Sequence, residues 1–209
     1  MLGKRQILKD FLDGISAGIL ICIGCSVYLS CVGLGQKVAG AILFSVALLC
    51  ICYKGFNLFT GKVGYMAETH DKSAFSTLLL GLFGNAVATV GIGFALSYAL
   101  PELYAIAAPI VNAKLTQEWW QTLIRAIFCG ILMYLAVNVY KEKKTPAAIF
   151  LCIPVFILSG FEHSIANMVY FAMGRVVSLD GLLYLLIVIV GNAIGGMLLP
   201  LLNVKSKSN

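Results

Sequence analysis

Charge is what this sequence has least of. Charged residues make up 11% of its 209 residues, less than half the roughly 25% of soluble domains. Together with a mean hydropathy of +0.95, this excludes an ordinary soluble globule and points to a chain that crosses the bilayer several times. A cleavable secretion signal is also missing. Lys4, Arg5 and Lys9 precede an apolar run, but that run, from Phe11 to about Val32, is long enough to span and has no small-residue cleavage site before a polar region. It reads as a first transmembrane helix. No basic cluster is interleaved with aromatic residues, so the net charge of +6 does not indicate a nucleic-acid partner. The seven cysteines (22, 25, 31, 50, 52, 129 and 152) are odd in number and sit in apolar segments. Cys22 and Cys25 make a CxxC with no second pair and no nearby histidine, so packing is their expected role. There is no HExxH and no phosphate-binding glycine motif. Glu162, His163 and Ser164 are contiguous, whereas a catalytic triad is built from spatial neighbours. Neither an enzymatic activity nor a metal or other cofactor is expected.

What is present is long apolar segments. At about 20 residues per span, six emerge: 11–32, 39–58, 74–98, 119–139, 147–173 and 182–202. The second runs into "YKGFNLFTGKVGYM" and the fifth into "SGFEHSIANM" (159–168), both with glycine and polar residues where an apolar helix should continue. Both read as helices broken partway through the membrane, which is tolerated only where backbone is buried in protein or lines a cavity. With the N-terminus inside, Lys4, Arg5, Lys9, Lys54, Lys62, Lys72, Lys141, Lys143, Lys144, Lys205 and Lys207 fall on the inner side. Lys37, Lys114 and Arg175 fall outside, and Arg125 lies within span four. That positive-inside bias predicts both termini on the cytoplasmic face of an integral cell-membrane protein.

The chain also repeats itself. "LFGNAVATVGIGF" (82–94) in the third segment resembles "IVGNAIGGMLL" (189–199) in the sixth, and each Gly-Asn follows a broken helix. Three spans per half make the two copies inverted, over about 11–100 and 115–203, within a single transmembrane domain. Inverted halves with paired broken helices point to a transport site at their interface. Gly84, Gly91, Gly93, Gly191, Gly195 and Gly196 would let the halves pack closely.

An ionisable pair at membrane depth is costly, so Glu162 and His163 need a reason to be there. His163 can hydrogen-bond an anion or a neutral acid and exchange a proton near neutral pH. Its neighbour Glu162 points about 100° away on a helix and, like Asn167, is expected to tether the broken backbone. Thr60, at the first-half break, is expected opposite His163. Lys114 reads as a lone cation in the outer loop before "EWWQTLIRAIF", where it raises the local anion concentration. Trp119 and Trp120 read as interfacial anchors, and His70 as a solvated residue of an inside loop.

"SGFEHSIANM", "LFTG", the Gly-Asn of segments three and six and the spacing from Lys114 to Arg125 resemble the formate/nitrite transporter family, which includes hydrosulfide channels and lactate-permeable relatives. The likeness runs from about residue 11 to 202. It implies an all-α, aquaporin-like membrane fold of six helices in inverted triplets, with the second and fifth broken, assembled as a homopentamer with one pore per subunit. It also implies that His163 is the central pore histidine, Thr60 the threonine of a mobile loop and Lys114 the lysine below the outer vestibule. Phe44, Leu48, Phe59 and Phe156 fall where that family has its hydrophobic constrictions. The implied partners are small monovalent anions of weak acids (formate, nitrite or hydrosulfide), protons and the lipid bilayer. Neither break carries Asn-Pro-Ala, which disfavours an aquaporin proper. Gly130 stands where many members have an asparagine, and a terminal gating helix, if present, is confined to residues 1 to 10. A neutral-solute pore and a non-transporting subunit of a membrane complex stay open as alternatives.

Overall fold

A computed structural model of the chain describes residues 3–69 and 71–203. His70, Lys205 and Lys207 lie outside the described residues. The described residues form helices, with no strand among them. In chain order the helices are α1 (Lys4–Gly33), α2 (Lys37–Lys54), α3 (Phe59–Lys62), α4 (Lys72–Ala99), α5 (Pro101–Leu115), α6 (Trp119–Lys143), α7 (Ala147–Leu158), α8 (Ser164–Met173) and α9 (Leu179–Asn203), with a 3-10 stretch, Val63–Ala67, after α3. Five of these (α1, α2, α4, α6 and α9) are long and apolar enough to cross a membrane, and α7 and α8 are shorter apolar helices.

α1 differs from the expected first span because it runs unbroken from Lys4. Residues 4 to 10 extend the spanning helix and form no separate terminal helix. Its first turns are anchored by Asp10, whose buried carboxylate accepts from Gln6 at 2.7 Å and from Thr77 of α4 at 2.8 Å.

The two expected interruptions have the same local chemistry. α2 stops at Gly55, with φ +69, and the Phe56 N–H reaches back to the Ile51 carbonyl at 3.1 Å. α7 stops at Gly160, with φ +71, and the Phe161 N–H reaches the Phe156 carbonyl at 2.9 Å. This is the glycine-ended cap in which a left-handed residue turns the chain off the helix axis. Helix resumes at Phe59 in α3 and at Ser164 in α8.

The stretch 99–118, read from sequence as an outer loop, is mostly helical. α5 buries Leu103, Ala107 and Val111, spaced four apart on one face. At 15 residues and 1.5 Å rise it is about 22 Å long, too short to cross a hydrocarbon core of about 30 Å.

α1 packs on α4 and α6 on α9, and glycines set both crossings. A Cβ at Gly14 would lie 2.6 Å from the Gly81 carbonyl oxygen, and one at Gly191 would lie 2.5 Å from the Ala126 Cβ. Such approaches, which small residues alone permit, bring helix backbones together. All seven cysteines are free.

Candidate functional site

Each interruption is held by one asparagine, and the two make the same three bonds. Asn85 of α4 accepts the Phe59 N–H at 3.0 Å and donates to the carbonyls of Asn57 and of Gly14 on α1, both at 2.8 Å. Asn192 of α9 accepts the Ser164 N–H and donates to the carbonyls of Glu162 and of Ala126 on α6, all at 2.8 Å. Both asparagines are fully buried. They satisfy backbone groups that the interruptions free and that water cannot reach. The Gly-Asn repeat was the sequence signal for them, but its role in the breaks was missed.

These bonds also set the register. Gly55 pairs with Gly160, Asn57 with Glu162 and Phe59 with Ser164, which makes Leu58, not Thr60, the positional counterpart of His163. Thr60 lies two residues further on and still meets the histidine. Its Oγ1 is 2.9 Å from His163 Nε2, across 103 residues of sequence. His163 is the N-cap of α8, and its Nδ1 accepts the Ala166 N–H at 3.1 Å. A nitrogen that accepts carries no proton, so the neutral ring is protonated at Nε2, which donates to the Thr60 hydroxyl. Both residues are buried, with His163 3% exposed.

His163 forms part of the lining of a cavity of about 320 Å³. Phe44 of α2 and Phe156 of α7 line it too, with edge-on rings 6.5 Å apart, and Phe156 stacks on the imidazole at 5.6 Å. Lys37 and Lys114 are its cationic lining residues. A second cavity, of about 60 Å³, is lined by Leu48, Leu58, Val137, Tyr140, Lys62 and Lys141, among others. Phe44 and Leu48 are four residues apart on α2, so about 6 Å of helix separates the two cavities there. Phe59 is buried but lines neither cavity.

Lys114 differs from its expected setting. It occupies the last turn of α5, and its ammonium pairs with the Glu162 carboxylate. Glu162 also accepts from Asn167 at 2.9 Å. Lys114, Glu162 and Asn167 thus form one cluster beside His163, and the lysine's charge is matched. Gly130 sits at the crossing of α6 and α9. It faces α9, where any Cβ would collide with the Asn192 carbonyl. A side chain is excluded there by the helix crossing.

A family model for formate/nitrite transporters matches residues 3–204. The uncharacterized transporter YwcJ of Bacillus subtilis (strain 168) is 29% identical over 153 residues, covering 66% of this chain and 60% of the relative. The nitrite transporter NirC of Escherichia coli (strain K12) is 29% identical over 143 residues, covering 62% and 53%. The chain therefore spans between half and two thirds of the length of these relatives. Solved structures share the fold. A pentameric formate channel with formate bound matches with a TM-score of 0.79 at 24% identity, covering 95% of this chain and 96% of that one. An FNT family ion channel matches at 0.82 and 22%, covering 97% and 91%. With transporters and channels as relatives in both sequence and fold, and a family model that takes in nearly every residue, this chain belongs to the formate/nitrite transporter family.

Proposed function

We propose that the protein passes small monovalent anions of weak acids (formate, nitrite or hydrosulfide) across the cell membrane, as a channel or with a linked proton, through a route centred on His163. The observation that carries this is the 2.9 Å contact between Thr60 and His163 beside a cavity that holds two lysines and two facing phenylalanine rings. The nitrite of NirC and the formate held by the pentameric channel of the same fold support the cargo class.

The route works by opposing two costs. The charge of Lys37, beside the Lys114–Glu162 pair, concentrates anions in the vestibule. The apolar neck of Phe44, Leu48, Phe59 and Phe156 then offers a bare anion no compensation for its lost water. At His163 the cargo is either held by the imidazole and the Thr60 hydroxyl or passes as its neutral acid, which low dielectric favours. The narrow neck selects for size and the charged vestibules for sign.

The two triplets of spans, about 11–100 and 115–203, act as inverted repeats in an aquaporin-like arrangement, with broken second and fifth spans. The matching bonds of Asn85 and Asn192 support that reading. Five copies form the assembly, each with its own pore, and the pentameric state of the neighbour supports the number. Both termini face the cytoplasm. Lys37 and Lys114 share one cavity and Lys62 and Lys141 the other, in keeping with the side that the charge bias gives to each.

Reconstituted His163→Phe is the test. Formate, nitrite or hydrosulfide flux should collapse or change its pH dependence. A wild-type rate and pH profile would sink the mechanism, and glycerol swelling without anion flux would favour a neutral-solute pore.

A further inference from the structure

The two interruptions carry the same side-chain geometry with the charges exchanged. In the second, the acceptor is the Glu162 carboxylate and the donor, five residues later, is the Asn167 amide. In the first, the acceptor is the Asn57 amide oxygen and the donor, again five residues later, is the Lys62 ammonium. The register set by Asn85 and Asn192 makes these positions equivalent. Their charge balance differs. Glu162 is matched by Lys114, whereas Lys62 is bonded to a neutral amide.

The nearest carboxylates lie on α1, behind Asn57. Asp10 accepts from Gln6, Thr77 and Asn57, and Asp13 is paired with Lys9 at 2.7 Å. On α6, Glu142 accepts from Asn138 at 2.9 Å. None of these carboxylates, nor Glu68, lines the small cavity, whereas Lys62 and Lys141 both do. Lys141 is held 3.6 Å over the face of Tyr65, a contact that positions an ammonium without cancelling its charge. Two cations therefore meet a largely apolar recess, at the mouth opposite the cavity of Lys114.

We propose that Lys62 and Lys141 form a binding subsite for a small monovalent anion in the cavity lined by Leu48 and Leu58. This subsite rests on the transport reading above and goes beyond it: the small cavity has two cations without a carboxylate partner, whereas at the large one Lys37 stands beside a Lys114 whose charge Glu162 matches, so the two mouths differ in anion affinity. Lys62 shares α3 with Thr60, so an anion bound there waits one helical turn from the threonine that meets His163.

The experiment measures formate entry into right-side-out and inverted membrane vesicles containing the full chain. Lys62→Gln should raise the half-saturating formate concentration about tenfold from the small-cavity side and leave the other side unchanged. Lys62→Arg should stay within about twofold of wild type on both sides, since the charge is kept. Lys141→Gln gives an independent reading at a residue outside the Asn57 cluster, with the same one-sided direction expected. A small-cavity half-saturation unchanged from wild type in a properly assembled Lys62→Gln overturns the subsite. Should that variant fail to assemble, an unchanged Lys141→Gln overturns it instead. Wild-type vesicles with formate flux and side-insensitive variants refute the subsite alone. Wild-type vesicles without flux of formate or nitrite refute both it and the transport reading.

Discussion

Replacing Asn192 by alanine removes three hydrogen bonds at the second interruption at once. The side chain accepts one backbone N–H and donates to two carbonyls, all at 2.8 Å. The Ala126 carbonyl lies within α6 and keeps its helical partner, so its loss is cheap. The Ser164 N–H and the Glu162 carbonyl stand at the interruption, where α8 has yet to make its own bonds. Each buried group left without a partner costs about 1–3 kcal/mol, so the two together give about 2–6 kcal/mol for Asn192→Ala. That is a large share of the roughly 5–15 kcal/mol that holds a typical protein folded. For a chain of this length it lowers the unfolding midpoint by on the order of 10 °C. Thermal unfolding of the detergent-purified assembly, followed by loss of its size-exclusion peak, measures the change. Asn85→Ala breaks the matching three bonds and should lie within about 1 kcal/mol of Asn192→Ala by the same bookkeeping. An Asn192→Ala midpoint indistinguishable from wild type, or a wide gap between the two variants, refutes the idea that these amides carry the interruptions.

Glycine contacts give a sharper contrast. A Cβ at Gly195 would lie 1.9 Å from the Ile127 carbonyl oxygen, while one at Gly91 meets nothing within 4 Å. Gly195→Ala should therefore lose most of its folded yield and Gly91→Ala keep it, with equal yields counting against the close crossing. Thr60→Val deprives His163 Nε2 of its acceptor and should cut formate flux about tenfold, with Thr60→Ser restoring most of it. A Thr60→Val rate equal to wild type removes Thr60 from the pathway. Glu162→Gln leaves the Lys114 ammonium unmatched and should lower the half-saturating formate concentration several-fold on the large-cavity side. No change there means that the pair does not mask the charge.

Membrane character and the helix ends at Gly55 and Gly160 were legible because each has a local cause. Apolar windows long enough to span are a matter of composition, and glycine followed by polar residues marks where a helix gives way. The pairing of the interruptions was less legible. Spacing to the Gly-Asn repeat places Thr60 opposite His163, whereas the bonds place Leu58 there. The bond from Phe59 to Asn85 spans 26 residues and that from Ser164 to Asn192 spans 28, so chain distance is an unequal ruler. The role of Asn85 and Asn192 was within reach, since a buried amide in an apolar helix needs partners, but those partners are backbone groups on distant segments. α5 was hidden by Pro101, Pro109, Glu102 and Lys114, which together read as loop. The spacing of Leu103, Ala107 and Val111 was the available sign. Lys114 could be flagged as a rare outer cation, yet its pairing with Glu162 exists only once α5 folds back beside α8.

α9 has two faces that answer to different judges. Gly191, Asn192, Gly195 and Gly196 are buried against other parts of the chain, while Leu183, Leu186, Val190, Ile194 and Leu198 are exposed. On the first face the limits are set by neighbouring backbone and admit almost no alternative residue. On the second, any side chain of similar greasiness satisfies an apolar surrounding equally well. Change over generations is therefore channelled onto one stripe of the helix. The buried stripe can be altered only by replacing its partner strip on α6 at the same time.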